Sequence, residues 1–326
     1  MEYALTGSVG FDWKRDYRGN LEWLPERTVL LTIHGSRAYG LATETSDVDI
    51  KGIAVPPKEY FHGFLRRFDQ AESKNPDMTI YDVRKFFQLA ADCNPNIIEV
   101  LWTTDEDIIS MSEWGEYIRH FRTCFLSKKA KYTFSGYAMA QLKRIKTHRK
   151  WLINPPTHKP ERDEFDLPET SLLSADEMGA IEAVKRNEGG GAQFSENAML
   201  IYQKERGYRN ALREWQQHEN WKAHRNPARA EIEAKFGYDC KHAMHLVRLM
   251  RMCREILTDG KVLVKRPDRE ELLAIRNGIW EYGQLIEWAE KQDGEMEALL
   301  TTSPLRQSPD RKYLDTLCET IVEGNL

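Results

Sequence analysis

The sequence predicts an α+β protein, in which a small α/β domain built on a mixed sheet is followed by a helical domain. Three observations carry this expectation. Through about residue 105, apolar runs of strand length alternate with short helical patterns. After Trp102 the strand signals fade and helical periodicity takes over. Late in the chain, "DCKHAMHLVRLMRMCREILTDGK" puts Ala243, Leu246, Val247, Met250, Cys253 and Leu257 on one helical stripe, with Gly260 as its stop. The expected division is residues 1–110 and 111–326.

The elements follow in order. "TVLLTIH" is an apolar strand ended by Gly35-Ser36, and "RAYGLAT" is a short helical turn. "VDIKGIAV" is the next strand, closed by Pro56-Pro57, and "KEYFHGF" is a short helix or loop. "DMTIY" is a third strand. Asp82 then reads as the N-cap of "VRKFFQLAADC", and Asn94-Pro95 opens "NIIEVLW". Two longer helices are expected in "EWGEYIRHFRTCFLS" and "YTFSGYAMAQLKRIKTHRKWLI". "NPPTHKPERDEFDLPE" holds four prolines and reads as a long loop, near 154–168. "NEGGGAQ" is a turn. "DREELLAIRNGIWEYGQLIEWAEKQ" reads as one helix pattern, and Ser308-Pro309-Asp310 caps a last helix through Glu323. No internal repeat is present.

Composition narrows the class. An apolar content of 41% supports a packed core in a 326-residue chain, and nine tryptophans with thirteen tyrosines argue against disorder. No apolar run approaches the ~20 residues of a membrane helix, and the N-terminus lacks the pattern of a signal peptide. Five scattered cysteines without a Cys-x-x-Cys pair read as reduced thiols of a cytoplasmic protein. The net charge of −4 hides an asymmetry. Residues 113–150 carry ten Lys/Arg against Glu113 and Glu116, a net of +8, with Tyr132, Phe134 and Tyr137 interleaved. This basic segment, Arg119 to Lys150, suits a phosphate backbone such as RNA; a solvated helix face is the other reading.

The chemistry concentrates in "HGSRAYGLATETSDVDIKGIAV". Glycine after a strand lets backbone approach a ligand closely, and amides at a helix start, with the Ser36 hydroxyl, favour a phosphate. Asp47 and Asp49 stand at i and i+2 of a strand, on one face, where they repel unless a cation joins them. Such a pair suits Mg²⁺, and two ions about 4 Å apart serve hydroxyl attack and pyrophosphate departure. That scheme asks for a third carboxylate on a neighbouring strand. Asp77 is the first choice and Asp82 the second. They are an odd number apart and face opposite sides of a regular strand, and Asp82 already has work as a cap. Glu72 and Asp69 fall in the preceding turn region. The bland reading of Asp47 and Asp49 is a charged edge strand.

Gly-Ser, a ten-residue spacer and Asp-x-Asp resemble the DNA-polymerase-beta-type nucleotidyltransferases. The same stretch, with "DVRKFFQLAADCNPNIIEVLW", "NPPTHKPERDEF" and "KHAMHLVRLMRMCREILTDGKVLVKRPDREELLAIRNG", is similar to the RlaP-type branch, named for an association with RNA repair. The resemblance implies a nucleotidyltransferase domain with its cleft against a helical domain. It implies Mg²⁺ (two ions, Mn²⁺ as a substitute) and a nucleoside triphosphate such as ATP. Asp47 and Asp49 become the metal-binding, catalytic carboxylates, with Asp77 ahead of Asp82 as the third, and Gly35 and Ser36 the triphosphate cradle. Ser46 would support Asp47 or the phosphate, or simply close a turn. Arg37 and Lys51 are phosphate-contact candidates, with surface charge preferred for Lys51, and Tyr39-Gly40 shapes the turn.

On the late helix, Lys241, His245 and Arg248 fall at i, i+4 and i+7, on a stripe nearly opposite the apolar one. They are read as a solvent face or as a cationic, nucleotide-binding wall of the cleft, with His242 and Arg251 off the stripe. The function expected is transfer of a nucleoside monophosphate to a hydroxyl, an RNA end first, with pyrophosphate released. Nucleotidylation of a protein or small molecule, and an inactive nucleotide- or RNA-binding module, are the alternatives.

Overall fold

The structure is a computed structural model that describes residues 13–44, 46–74, 76–186 and 195–326. The "NEGGGAQ" turn therefore lies outside the described residues, as does most of the N-terminal stretch read for a signal peptide. No helix among the described residues is long and apolar enough to cross a membrane.

Two short helices, α1 (Trp13–Asp16) and α2 (Leu24–Arg27), lead into β1 (Thr28–His34), whose seven residues are all buried. A central strand covered on both faces reads as a continuous apolar run, which is why "TVLLTIH" was legible. One turn of helix, α3 (Gly35–Ala38), follows at once. β2 (Asp49–Ala54) runs antiparallel to β1. After α4 (Glu59–His62) come β3 (Gln70–Lys74) and β4 (Asp77–Asp82), an antiparallel pair whose second member lies parallel to β2. α5 (Val83–Ala91) starts on Asp82, whose carboxylate accepts from the Arg84 and Lys85 amides. α6 (Pro95–Leu101) starts on Asn94, with proline at its first turn. β5 (Ile108–Met111) closes the sheet antiparallel to β1. The order is β3-β4-β2-β1-β5, a mixed five-stranded sheet. Strands β3 and β5 are additions to the sequence reading. Glu72, placed there in a turn, is in β3.

The rest is helical. α7 (Glu113–His120) ends in a 3₁₀ turn, and a π turn at 131–135 opens α8 (Gly136–Ile153). α9 (Ala175–Arg186), α10 (Glu196–Ala223) and α11 (Pro227–Phe236) occupy the stretch that carried no sequence assignment. α12 (Cys240–Asp259) is the amphipathic helix, stopped by Gly260 at φ +61°. The single pattern expected over 268–292 is two helices, α13 (Arg269–Arg276) and α14 (Tyr282–Thr302). Gly278, at φ +83°, breaks it in a conformation glycine adopts freely. α15 (Arg311–Asn325) starts on Asp310, as expected.

The chain forms two compact units, Met1–Ile145 with Cys240–Leu326, and Lys146–Asp239. The first holds the sheet and α12. In the second, Glu205 is buried and held by Arg162 at 2.7 and 3.2 Å and by the Leu172 amide at 2.9 Å. His148, Trp151, His218 and Trp221 form an aromatic cluster there. The Pro-rich segment has only a 3₁₀ turn at Asp163–Phe165.

Candidate active site

The site grows from where β1 stops. Its last residue, His34, is the register partner of Asp49, the first residue of β2. The Gly35-Ser36 turn therefore leaves the sheet beside that carboxylate. Gly35 adopts φ +65°, and a Cβ added there would collide with Asp49 Oδ2. Two independent reasons thus require glycine: the left-handed backbone and the close carboxylate. The turn is closed by the Tyr39 amide to Gly35 O at 3.1 Å and by Leu41 N to Ser36 O at 2.8 Å. The first amides of such a turn point away from it and have no partner inside it.

On its other side β2 is paired in parallel with β4, and Asp49 is the register partner of Asp77. Registered partners in a sheet present their side chains to the same face. Asp47, exposed, stands two residues ahead of Asp49. Burial raises the Asp49 carboxyl above its ordinary value, and the charges of Asp77 and Asp47 raise it further, while Lys51 and Lys241 oppose them. Three carboxylates thus bear on one point. Asp82 lies elsewhere: it is buried at the far end of β4, capping α5 and pairing with Arg84 at 2.9 Å.

The remaining residues sort by contact. Ser46 Oγ accepts from the Thr43 amide at 2.8 Å, so it closes the 43–46 turn. Arg37 Nη2 donates to Ser46 O at 3.1 Å and ties that turn to α3. Lys51 departs from the surface charge expected of it. It stands on the Asp49 face of β2, partly buried, and donates to Asn96 O at 3.1 Å. Burial lowers its pKa, while Glu99, Asp49 and Asp77 act to raise it. Lys241, at the first turn of α12, is near enough for its charge to lower the Asp49 pKa, and His245 is partly buried on the next turn. Arg248 does not belong to a solvent face. α12 buries most of its circumference, and Arg248 is 5% exposed. Its Nη1 donates to Glu99 Oε1 at 2.7 Å, and its guanidinium lies over the Tyr39 ring, 3.8 Å from the centroid. Arg251, off the stripe, pairs with Asp268 and Glu271.

Glu99 is the residue the sequence reading passed over. It is wholly buried in α6, among Ile97, Ile98, Val100 and Leu101. Tyr39 Oη donates to its Oε2, and the neutral ring of His34 lies 3.4 Å from the same oxygen. Burial pushes the Glu99 carboxyl up, but Arg248 and the Tyr39 hydroxyl outweigh it and hold it below its usual range. Burial takes His34 down to about 3, so it is neutral at ordinary pH. Burial also drives the Tyr39 hydroxyl well above its ordinary value. Glu99 therefore ties the end of β1, the turn after α3 and the middle of α12 to one another. A single acid inside "NIIEVLW" was the available signal, since an ionised carboxylate in an apolar helix demands a cation.

The basic segment is less positive in space than along the chain. Lys129 pairs with Asp92, Lys131 with Glu297, Arg119 with Asp105 and Lys150 with Glu214. Lys143, Arg144 and Lys146 are exposed on α8.

Residues 19–155 match the family described as RlaP, the RNA repair pathway DNA polymerase beta family. The matched span contains Gly35, Ser36, the three carboxylates and Glu99, and stops short of α12. The chain is also 31% identical over 127 residues to an uncharacterized 38.9 kDa protein in the nrdC-mobD intergenic region of Enterobacteria phage T4. That likeness covers 35% of this chain and 38% of the phage protein. No solved structure matches. Over residues 19–155, then, the chain is similar to the RNA repair pathway DNA polymerase beta family.

Proposed function

We propose that this protein transfers a nucleoside monophosphate from a nucleoside triphosphate to a hydroxyl group, an RNA end in the first place, releasing pyrophosphate. The observation that carries the proposal is Asp49, set between a glycine that admits no side chain and Asp77 in register on the next strand. An unneutralised group of three carboxylates is electrostatically costly: burial first, and then the charges of Asp77 and Asp47, raise the Asp49 carboxyl. The donor set fits a hard divalent cation, all oxygen and without thiol or imidazole. Asp47, Asp49 and Asp77 would hold Mg²⁺, with Mn²⁺ as a substitute; when bound it would polarise the phosphoryl group and activate the attacking hydroxyl.

The chain's own groups do the rest. Gly35 and Ser36 offer backbone amides and a hydroxyl to the triphosphate, and Lys241, His245 and Lys51 supply positive charge beside it. Arg248 acts on the same turn through Tyr39 and Glu99, and Arg37 and Ser46 hold the loop that carries Asp47. The acceptor oxygen forms a bond to the α-phosphorus as the bond to the bridging oxygen breaks. Pyrophosphate departs with that electron pair, and Asp77 takes the hydroxyl proton before passing it to water. Residues 1–110 would form the catalytic domain, 111–326 the helical part that binds substrate, and the exposed basic residues of α8 would meet RNA. Five free thiols suit a cytoplasmic setting.

The test is incubation with each labelled triphosphate, Mg²⁺ and total RNA, beside Asp47→Ala/Asp49→Ala. Label on RNA, absent in the variant, is the expected result. Label on polypeptide without RNA would move the acceptor to protein. Triphosphate binding with no pyrophosphate released on any acceptor would overturn the transferase reading.

A further inference from the structure

A cavity of about 640 Å³ opens at the other end of α12, beside Asp259, Gly260 and Lys261. Lys241, which acts on Asp49, is eighteen residues away along the helix, about 27 Å at ~1.5 Å per residue. The cavity is thus separate from the carboxylate site. Trp102, Arg119, His120, Arg122 and Lys261 line it, and the carboxylate among its lining is Asp259. The volume lies in the range that takes a nucleotide-sized ligand.

Its donors are only partly used. Arg119 gives Nη1 to Asp105 at 3.1 Å and Nη2 to Thr103 O at 2.8 Å, but its buried Nε has no acceptor among the described residues. The buried Trp102 Nε1 has none either. Arg122 lies over the Trp102 ring, 4.4 Å from the centroid, and makes one 3.3 Å bond to Leu101 O. Burial and the neighbouring Arg119 charge both lower the Arg122 pKa. Two guanidiniums are thus held side by side, and the carboxylate on Arg119 is largely exposed. A hollow lined by Arg119, Arg122, Lys261 and His120 against the single carboxylate of Asp259 suits a ligand with several acceptor oxygens and negative charge.

We infer that this cavity binds the phosphate of a nucleotide, either in an RNA strand or free, at a second site remote from the carboxylates. The choice of ligand class rests on the function proposed above; the existence of an anion site rests on the cavity alone. An RNA phosphate held here would anchor a strand whose end lies several nucleotides away. The flat indole and guanidinium pair gives a sugar or base a surface to lie against.

The test uses the full chain without triphosphate or divalent metal. A short labelled single-stranded RNA is followed by fluorescence anisotropy over a salt series, and AMP by titration calorimetry. The variants are Arg122→Gln/Lys261→Gln and the single Lys261→Glu, which alters an exposed side chain and leaves packing intact; circular dichroism checks both. We expect the double variant to bind RNA about tenfold more weakly near 0.1 M salt, with a salt slope shallower by about 0.7 per lost contact. Loss of AMP binding alone in the cavity variants would also support the site, with a free nucleotide as its ligand. Both probes binding parent and variants alike, or neither binding the parent, would overturn it. Because no turnover is read, that result would leave the transfer reaction standing, and failed transfer would leave this binding untouched.

Discussion

Replacing Glu99 by glutamine removes one charge and almost no volume. Glu99 is wholly buried, its partner Arg248 is 5% exposed, and the two meet at 2.7 Å. The variant leaves a guanidinium inside the protein with the Tyr39 ring as its remaining charge-stabilising neighbour at 3.8 Å. A cation–π contact at a desolvated site contributes about 2 kcal/mol, less than a buried cation needs. Breaking one side of a buried pair costs about 3–5 kcal/mol, a large part of the 5–15 kcal/mol that typically separates folded from unfolded states. We therefore expect Glu99→Gln to lose about 3–5 kcal/mol in urea denaturation, seen as a lower midpoint at unchanged slope. The paired change Glu99→Leu/Arg248→Met removes both charges and should recover most of that loss. The double variant should still impair catalysis, since the Gly35-Ser36 turn loses its tie to α12. A loss under 1 kcal/mol in the single variant, or a double variant no better than the single, would refute the account of Glu99 as an acid held by its cation.

Gly35→Ala should abolish pyrophosphate release, because left-handed backbone costs a residue with a Cβ about 1–2 kcal/mol and the methyl group strikes Asp49 Oδ2; retention of a third of the parental rate would contradict this. Asp77→Asn and Asp82→Ala should separate cleanly. The first should keep its melting temperature and lose transfer; the second should lose about 1–2 kcal/mol of helix-capping stability and keep transfer per folded molecule. In metal-free protein, Asp77→Asn should also lower the Asp49 carboxyl pKa, which is read by carbon NMR of the side chain; an unchanged value would mean the two do not interact. His34 predicts a pH dependence. Its folded pKa, about 3, lies below the ordinary 6.5, so between those values the unfolded chain binds the proton and the folded protein does not. Stability should therefore fall as pH drops below 6.5, by about 2 kcal/mol at pH 5, and His34→Gln should flatten that part of the profile in urea denaturation. An equally steep profile in the variant would assign the acid sensitivity to other groups.

How much of this was legible depended on whether a residue's local pattern agreed with its tertiary place. The all-buried "TVLLTIH" strand, the Asp82 and Asn94 caps and the Gly260 stop carry their signals within a few residues. β3 did not. Its "QAESK" is polar because an edge strand that pairs on one side leaves much of its surface in water. β5 is four residues, too short for alternation to register. α10 runs 28 residues yet buries only Tyr202, Glu205 and His218, so no apolar stripe marked it. At the site, the Gly-Ser turn, Asp47 and Asp49 were read from their spacing, and Asp77 was preferred to Asp82 because Asp82 already had work as a cap. Lys51 did not, since a lysine on a strand reads as surface until the neighbouring carboxylates are known. Arg248 misled for the opposite reason. A charged residue at i+7 from Lys241 implies a polar face, whereas α12 is enclosed nearly all round and the charge is met by an acid far away in the chain.

That distance has a consequence for how the protein comes into being. Glu99 and Arg248 are separated by 149 positions. At a synthesis rate of about 5–20 residues per second, the acid is in existence for roughly 7–30 s before its cation is made. During that time the sheet can pair and α6 can form, but closing α6 against the sheet would bury a lone carboxylate. The nascent N-terminal half should therefore stay loosely collapsed, with Glu99 protonated or still in water, until α12 arrives and locks it. The same holds for a fragment cut at residue 155: it keeps the five described strands and all three aspartates, yet lacks the guanidinium that pairs with Glu99.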